Sequence, residues 1–285
     1  MTLGDYYSNE QIKQFAETVL GETDENRTES IEKVRKWIQK NPKLHAKTDD
    51  NSILAFLRGC KFNLEITQQK ITNFYTMKTE RPEWFQDRDP TLPTIKELAN
   101  IGVFIPLKKY HDNKLVVIIR TAAHDPKKHK QDDVFKAGKM ILDVAIKENF
   151  ENATIYGISA IFDMKNISLG HARQLPPHVI KKAVFAWQNY YCRPKQLEFV
   201  NAPLYINVVL NIFKSFMSEK LQGRVRVHFS GVDSLHEVIS KDILPVEYGG
   251  NDGSTQELIE YWSQKLDDHK DWFKEDEEYK ADLSD

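Results

Sequence analysis

The residues able to do covalent chemistry are few, and their spacing does not favour it. His111, His124, His171, His178, His228 and His236 are dispersed. None forms the HxxxH or HExxH spacing that puts two metal ligands on one helix face. His124 and Asp125, in TAAHDPKKH, are the nearest approach to an acid–base pair. Pro126 follows at once, so that segment is expected to be an exposed loop. Ser159 lies in an apolar run without a GxSxG turn, and a hydrogen bond inside the core or a pocket fits it better than nucleophilic attack. Asp163 closes the run ISAIFD. A carboxylate there is placed to accept backbone N–H groups and fix the next loop. No GxGxxG follows a strand and there is no phosphate loop; Gly249-Gly250 reads as a turn. Cys60 and Cys192 are the only cysteines, with neither zinc-ligand spacing nor a disulfide framework. The expectation is therefore no enzyme, no metal and no cofactor, in a reducing intracellular setting.

The chemistry that remains is hydrophobic. Residues 201–220 read NAPLYINVVLNIFKSFMSEK. Asn201 is a candidate cap and Pro203 suits a first turn. Leu204, Tyr205, Val208, Val209, Ile212, Phe213 and Phe216 fall on one broad apolar face, widened by Ile206, Leu210 and Met217. Only Asn207, Asn211, Lys214 and Ser218 form a polar stripe. Such a helix is either buried in a core or closes a lipid cavity. Trp187 and Tyr190 follow an apolar helical segment and read equally as cavity wall or ordinary aromatic packing.

The whole chain has 285 residues, 40% of them hydrophobic, and a formal net charge of −2. That balance gives no global attraction to nucleic acid, though a local basic surface is compatible with it. The N-terminal MTLGDYYSNEQIKQF lacks a signal-peptide core and no apolar run reaches spanning length. The expectation is a cytoplasmic monomer that meets a membrane only from outside.

The elements that must position these residues fall into three stretches. Residues 1–90 read as a small helical domain. Ile31, Val34, Trp37 and Ile38 recur at helical spacing, Asp49 to Asn51 offer caps, and Asn63 or Asn73 cap later turns. RPEWFQDRDPTLP, with three prolines, is an irregular link. Residues 91–251 alternate strand and helix. VFIPL (103–107), LVVIIR (115–120), YGISAIFD (156–163), LEFVN (197–201) and RVRVHF (224–229) are strands. Helices are predicted at 132–149, 176–190 and from Ser234. That order predicts an α/β fold, with a mixed, mainly parallel sheet flanked by helices. Residues 252–285 are highly charged and read as a surface helix that frays.

In DDNSILAFLRGCKFNLEITQQKI, KLVVIIRTAAHDPKK, GISAIFDMKNISLGHARQLPP, LEFVNAPLYINVVLNIFKSFMSEKLQGRVRVHF and DILPVEYGG, the chain resembles the CRAL-TRIO, or Sec14-like, family of lipid-binding proteins. The likeness covers about residues 10–262 and is strongest to the branch of the tocopherol and cellular retinaldehyde carriers. It implies a small all-helical domain followed by a lipid-binding domain, and a carrier that moves a tocopherol, retinoid, carotenoid or similar ligand between membranes. The alternative it leaves is a phosphoinositide-responsive signalling or membrane-targeting module without bulk transfer. It makes 202–217 the lid, with Ile206, Val209 and Ile212 facing the ligand and Leu197 and Phe199 on the strand before it. Phe135, Met140, Val144, Phe162, Phe185 and Tyr190 complete the expected wall. By the same resemblance Arg193, Lys195, Lys220 and Arg224 align with residues that hold phosphoinositide phosphates, which would help release the ligand at a membrane. Cys60 stands where the tocopherol carrier has arginine, FLRGCKFN against FLRARDFD.

Overall fold

The computed structural model describes residues 9–284. Six helices precede the sheet: α1 (Asn9–Phe15), α2 (Asp24–Gln39), α3 (Asp50–Gly59), α4 (Leu64–Glu80), α5 (Pro82–Phe85) and α6 (Pro93–Ile101). Their starts follow from local chemistry. The side chains of Thr23, Asp49 and Asn63 accept hydrogen bonds from the backbone N–H of Asn26, Ser52 and Ile66, and proline opens α5 and α6. Asn73 does not cap; it lies inside α4 and donates to Asn189. Arg58 holds this helical stretch together through a buried ion pair and reaches the rest of the chain through Thr154 and Glu151. Arg58 on α3 grips Glu22 through two nitrogens, at 2.8 and 2.9 Å, and donates to Thr154 at 2.9 Å.

The remainder runs β1 (Phe104–Pro106), β2 (Leu115–Arg120), α7 (Gln131–Glu148), α8 (Phe150–Ile155), β3 (Ile158–Asp163), α9 (Leu169–Arg173), α10 (Pro177–Asn189), β4 (Pro194–Val200), α11 (Ile206–Ser215), α12 (Glu219–Gln222), β5 (Val225–His228), α13 (Val232–Leu235), α14 (Thr255–Asp268) and α15 (Lys270–Glu277). The strands are ordered β1-β2-β3-β4-β5. β1 is antiparallel to β2 and every other pair is parallel. This is the mixed, mainly parallel sheet read from the sequence. Its central strands are covered on both sides, which is why LVVIIR is apolar throughout rather than alternating. Val116, Ile118 and Ile161 pack toward Leu235 and Leu258. Their neighbours Val117, Ile119 and Ala160 point to the opposite face.

Three expectations change. β4 begins at Pro194, ahead of Leu197, and Asn201 leaves it in a left-handed turn at φ 52. Asn201 therefore caps nothing; it donates to Asp163, and the lid helix starts only at Ile206. The acidic tail does not fray. Phe273 is fully buried, Ala281 donates its N–H to the Tyr75 carbonyl, and Asp276 pairs with Lys47, Lys78 and Arg88. Those cations hold the Asp276 carboxyl well below the ordinary range despite its burial. A charged sequence with one apolar anchor and a buried countercharge can dock where composition alone suggests solvent. His124 is buried, not exposed, because its loop folds under α9 and its ring packs 4.8 Å from that of His171.

Candidate functional site: an apolar cavity beside a basic cluster

One face of the sheet does not close onto its helices. Between Ile119, Phe162, Leu197 and Phe199 on the strands and the helices α7, α10 and α11 lies a cavity of about 330 Å³. Phe162 and Phe199 stack at 4.6 Å to form its floor, and Trp187 approaches Phe162 at 6.1 Å. α7 presents Gln131, Phe135, Lys139 and Leu142, spaced three or four apart on a single helix face. α10 adds Ile180, Val184 and Trp187. α11 roofs the space with Ile206, Val209, Leu210, Ile212 and Phe213. Polar side chains are few, Arg120, Thr121, Gln131, Lys139 and His171 among them, and no described lining residue is a carboxylate.

The roof is apolar on its outer side as well. Leu204 is 95% exposed and Val208 67% exposed, with Tyr205 and Ile212 also open to solvent. Inward and outward apolar residues on one helix explain the near absence of a polar stripe in the sequence.

Of the residues expected at this wall, Phe135, Phe162, Tyr190, Leu197, Phe199, Ile206, Val209 and Ile212 line the cavity. Three do not. Met140 and Val144 are fully buried in the close-packed core, since neither falls on the α7 face that carries Phe135, Lys139 and Leu142. Phe185 is 41% exposed; its neighbours Val184 and Trp187 take the inward positions on α10. Lys139 was missed because a lysine in a helix reads as a solvent contact. The signal available was its place in the 131/135/139/142 series.

Arg193, Lys195, Lys220 and Arg224 come together at one end of this cavity. Gly157, at φ 90, lets β3 start against β4, and an added Cβ there would meet the Arg193 carbonyl at 2.6 Å. Pro194 and Leu221, which border the four cations in sequence, line the cavity itself. Arg224 donates to the Pro194 carbonyl, and Arg193 to the carbonyl of Ile155. Among the described residues none of the four has a carboxylate within ion-pairing distance. Burial, and then repulsion from Arg193 and Arg224, pushes Lys195 down to about 8. Burial and Arg224 also lower Lys220, and burial lowers Lys70 nearby. Clustered cations that depress one another without a countercharge form a site short of an anion.

A second cavity, of about 590 Å³, lies among α3, α4, α7 and α15. Its most buried charged groups pair: Arg88 with Asp143 and Asp276, and Lys47 with Asp276. Tyr190 and Tyr191 both donate to Asp143. It is the polar joint between the leading helices and the tail. Both cysteines are free and buried, and burial pushes the Cys192 thiol up to about 12. Ser159 donates to Gln196 at 2.6 Å, and Asp163 accepts the Lys165 N–H and the Tyr248 hydroxyl. Among the described residues no metal-type cluster is gathered, and no helix is long and apolar enough to cross a membrane.

Comparison with known proteins bears on both halves. A model of the CRAL/TRIO domain matches residues 100–250, and a model of the Pinta-like UBA domain matches residues 23–95. Clavesin-2 of Mus musculus is 26% identical over 270 residues, covering 92% of this chain and 80% of its own. Alpha-tocopherol transfer protein-like of Homo sapiens is 29% identical over 238 residues, covering 82% and 68%. The crystal structure of Sfh5 superposes with a TM-score of 0.58 over 83% of this chain and 92% of its own; at 15% identity it shows the fold alone.

Proposed function

Because the chain belongs to the CRAL/TRIO domain family, in the branch of the clavesins and the alpha-tocopherol transfer protein-like proteins, we propose that it binds one hydrophobic molecule and carries it between membranes. The observation that carries this reading is the apolar cavity under a helix that is apolar on both sides. Burial of a lipophile there returns roughly 0.8 kcal/mol per methylene before ordering costs. The volume is at the lower end of ligand pockets, which favours one compact lipophile, such as a retinoid, over a two-chain lipid.

The domain division that goes with this reading is 1–90 for the leading helices, 91–251 for the ligand-binding unit and 252–285 for the docked tail. Arg193, Lys195, Lys220 and Arg224 are the proposed phosphoinositide contacts. Arginine offers a planar fork to a phosphate and lysine a mobile charge. The exposed Leu204 and Val208 then rest on the same leaflet. Phosphate bound between β4 and α12 favours opening of α11 if the open state holds the head group more tightly. Ligand release is in this way coupled to arrival at an anionic membrane.

Two measurements test it. Organic extraction of the purified protein followed by mass spectrometry should return a lipophile near one per chain. Transfer to vesicles containing a phosphoinositide should be faster than to neutral vesicles. Replacement of all four cations by alanine should abolish that difference while leaving ligand retention in solution nearly unchanged. Equal transfer by the folded quadruple variant would remove the phosphoinositide step; no lipophile and no uptake would remove the carrier.

A further inference from the structure

Among the described residues Lys139 is the one lining cation of the cavity wall without a hydrogen-bond acceptor. Its ammonium lies 5.5, 5.3 and 5.3 Å from the ring centroids of Trp84, Phe85 and Tyr190. Those rings are themselves buried, and Lys139, partly buried, lines the cavity. Among the described residues no carboxylate lies within ion-pairing distance. Asp143, one turn on along α7, attracts Lys139 from beyond that distance, but its hydrogen bonds come from Arg88, Tyr190 and Tyr191. Arg120, the other lining cation, already donates to the Ile101 carbonyl at 3.0 Å. The wall thus holds two cations and no described carboxylate.

Resting on the carrier reading above, the geometry points to a lipophile with an acidic head group, a carboxylate on a hydrocarbon or terpenoid tail, anchored on the Lys139 ammonium. The aromatic cage stabilises the cation but supplies no oxygen acceptor. A carboxylate would supply it, forming a charge-assisted bond in a dry setting where an alcohol forms a weaker one. Neither charge is then left buried alone, which is the arrangement that makes an internal ion pair tolerable. Burial pushes Lys139 down to about 8, so most of the amine remains charged at neutral pH, in the state that pairs with an acid.

The test uses delipidated full-length protein and two probe sets that share a tail: oleate, oleyl alcohol and oleyl aldehyde; retinoic acid, retinol and retinal. In each set that binds, the acid should bind at least about tenfold more tightly than the alcohol. Lys139→Met keeps an unbranched side chain and should erase that preference, lowering acid affinity at least tenfold without lowering alcohol affinity. Lys139→Leu should do the same, so loss of fold in one variant does not decide the outcome. Acid and alcohol bound equally by the wild type, or an acid preference that survives both variants, overturns the anchor and leaves the carrier intact. An aldehyde preference, with a borohydride-trapped adduct on Lys139 and no preference for acid, overturns it in favour of imine formation. Binding of none of the six probes by the wild type overturns the acid anchor alone; the carrier reading falls only if organic extraction also returns no lipophile.

Discussion

Replacing Lys139 by methionine should stabilise the ligand-free protein, against the usual direction for a core substitution. Burial lowers this lysine from 10.5 to about 8. At 1.36 kcal/mol per pKa unit, that shift corresponds to roughly 3 kcal/mol of folding free energy opposed by the charge. The rings of Trp84, Phe85 and Tyr190 offset part of it, on the order of 1–2 kcal/mol for a desolvated cation over aromatic faces. The expected net gain for Lys139→Met is therefore about 1–2 kcal/mol at neutral pH. Below about pH 8 the folded and unfolded chains both hold the proton, and the wild type carries the whole cost. From about 8 to 10.5 the folded protein releases the proton while the unfolded chain keeps it, so wild-type stability rises with pH. The advantage of the variant should shrink over that window. Urea unfolding of both delipidated proteins at about pH 7 and at pH values across the window measures it. A variant less stable than the wild type at pH 7, or a difference that does not change with pH, would refute the argument that the desolvation of this charge outweighs its attractions.

Three further outcomes are expected from the geometry. Val209→Asp places a carboxylate against the cavity and should reduce lipophile retention at least tenfold with the fold intact by circular dichroism; normal uptake would show that Val209 does not face the ligand. Leu204→Ser with Val208→Ser, on the outer side of the lid, should weaken capture by anionic vesicles several-fold and spare ligand retention, as sedimentation with vesicles would measure; unchanged capture would remove this face from the membrane contact. Arg58→Met leaves the buried Glu22 with Arg27 alone and removes the contacts with Thr154 and Glu151 on α8, and should cost about 2–3 kcal/mol in urea unfolding, whereas Arg58→Met with Glu22→Leu should recover part of it; equal losses would show that the Arg58–Glu22 pair does not set the cost.

Period and composition determined the architecture of this chain. Apolar runs such as LVVIIR, bounded by turn residues and alternating with helices, can only be strands covered on both faces, because an unpaired or half-wet strand of that composition would be unstable. The lid helix was legible from its missing polar face, and the basic quartet from the family resemblance of its segments. What tertiary structure decided was direction and depth. Met140 and Val144 satisfy the same apolar periodicity as Phe135 and Leu142, yet a rotation of about 100° per residue sends them into the core and the others to the cavity. Phe185 is as apolar as Val184 and faces out. The charged tail docks because Phe273 and Asp276 find an apolar pocket and three cations that lie far away in sequence. Lys139 reads as solvent-facing until the rings of Trp84 and Phe85 on α5 and Tyr190 at the end of α10 close around it. Hydrophobic pattern fixes which residues must leave water, but only the packing of distant elements fixes whether they meet other side chains or line a cavity.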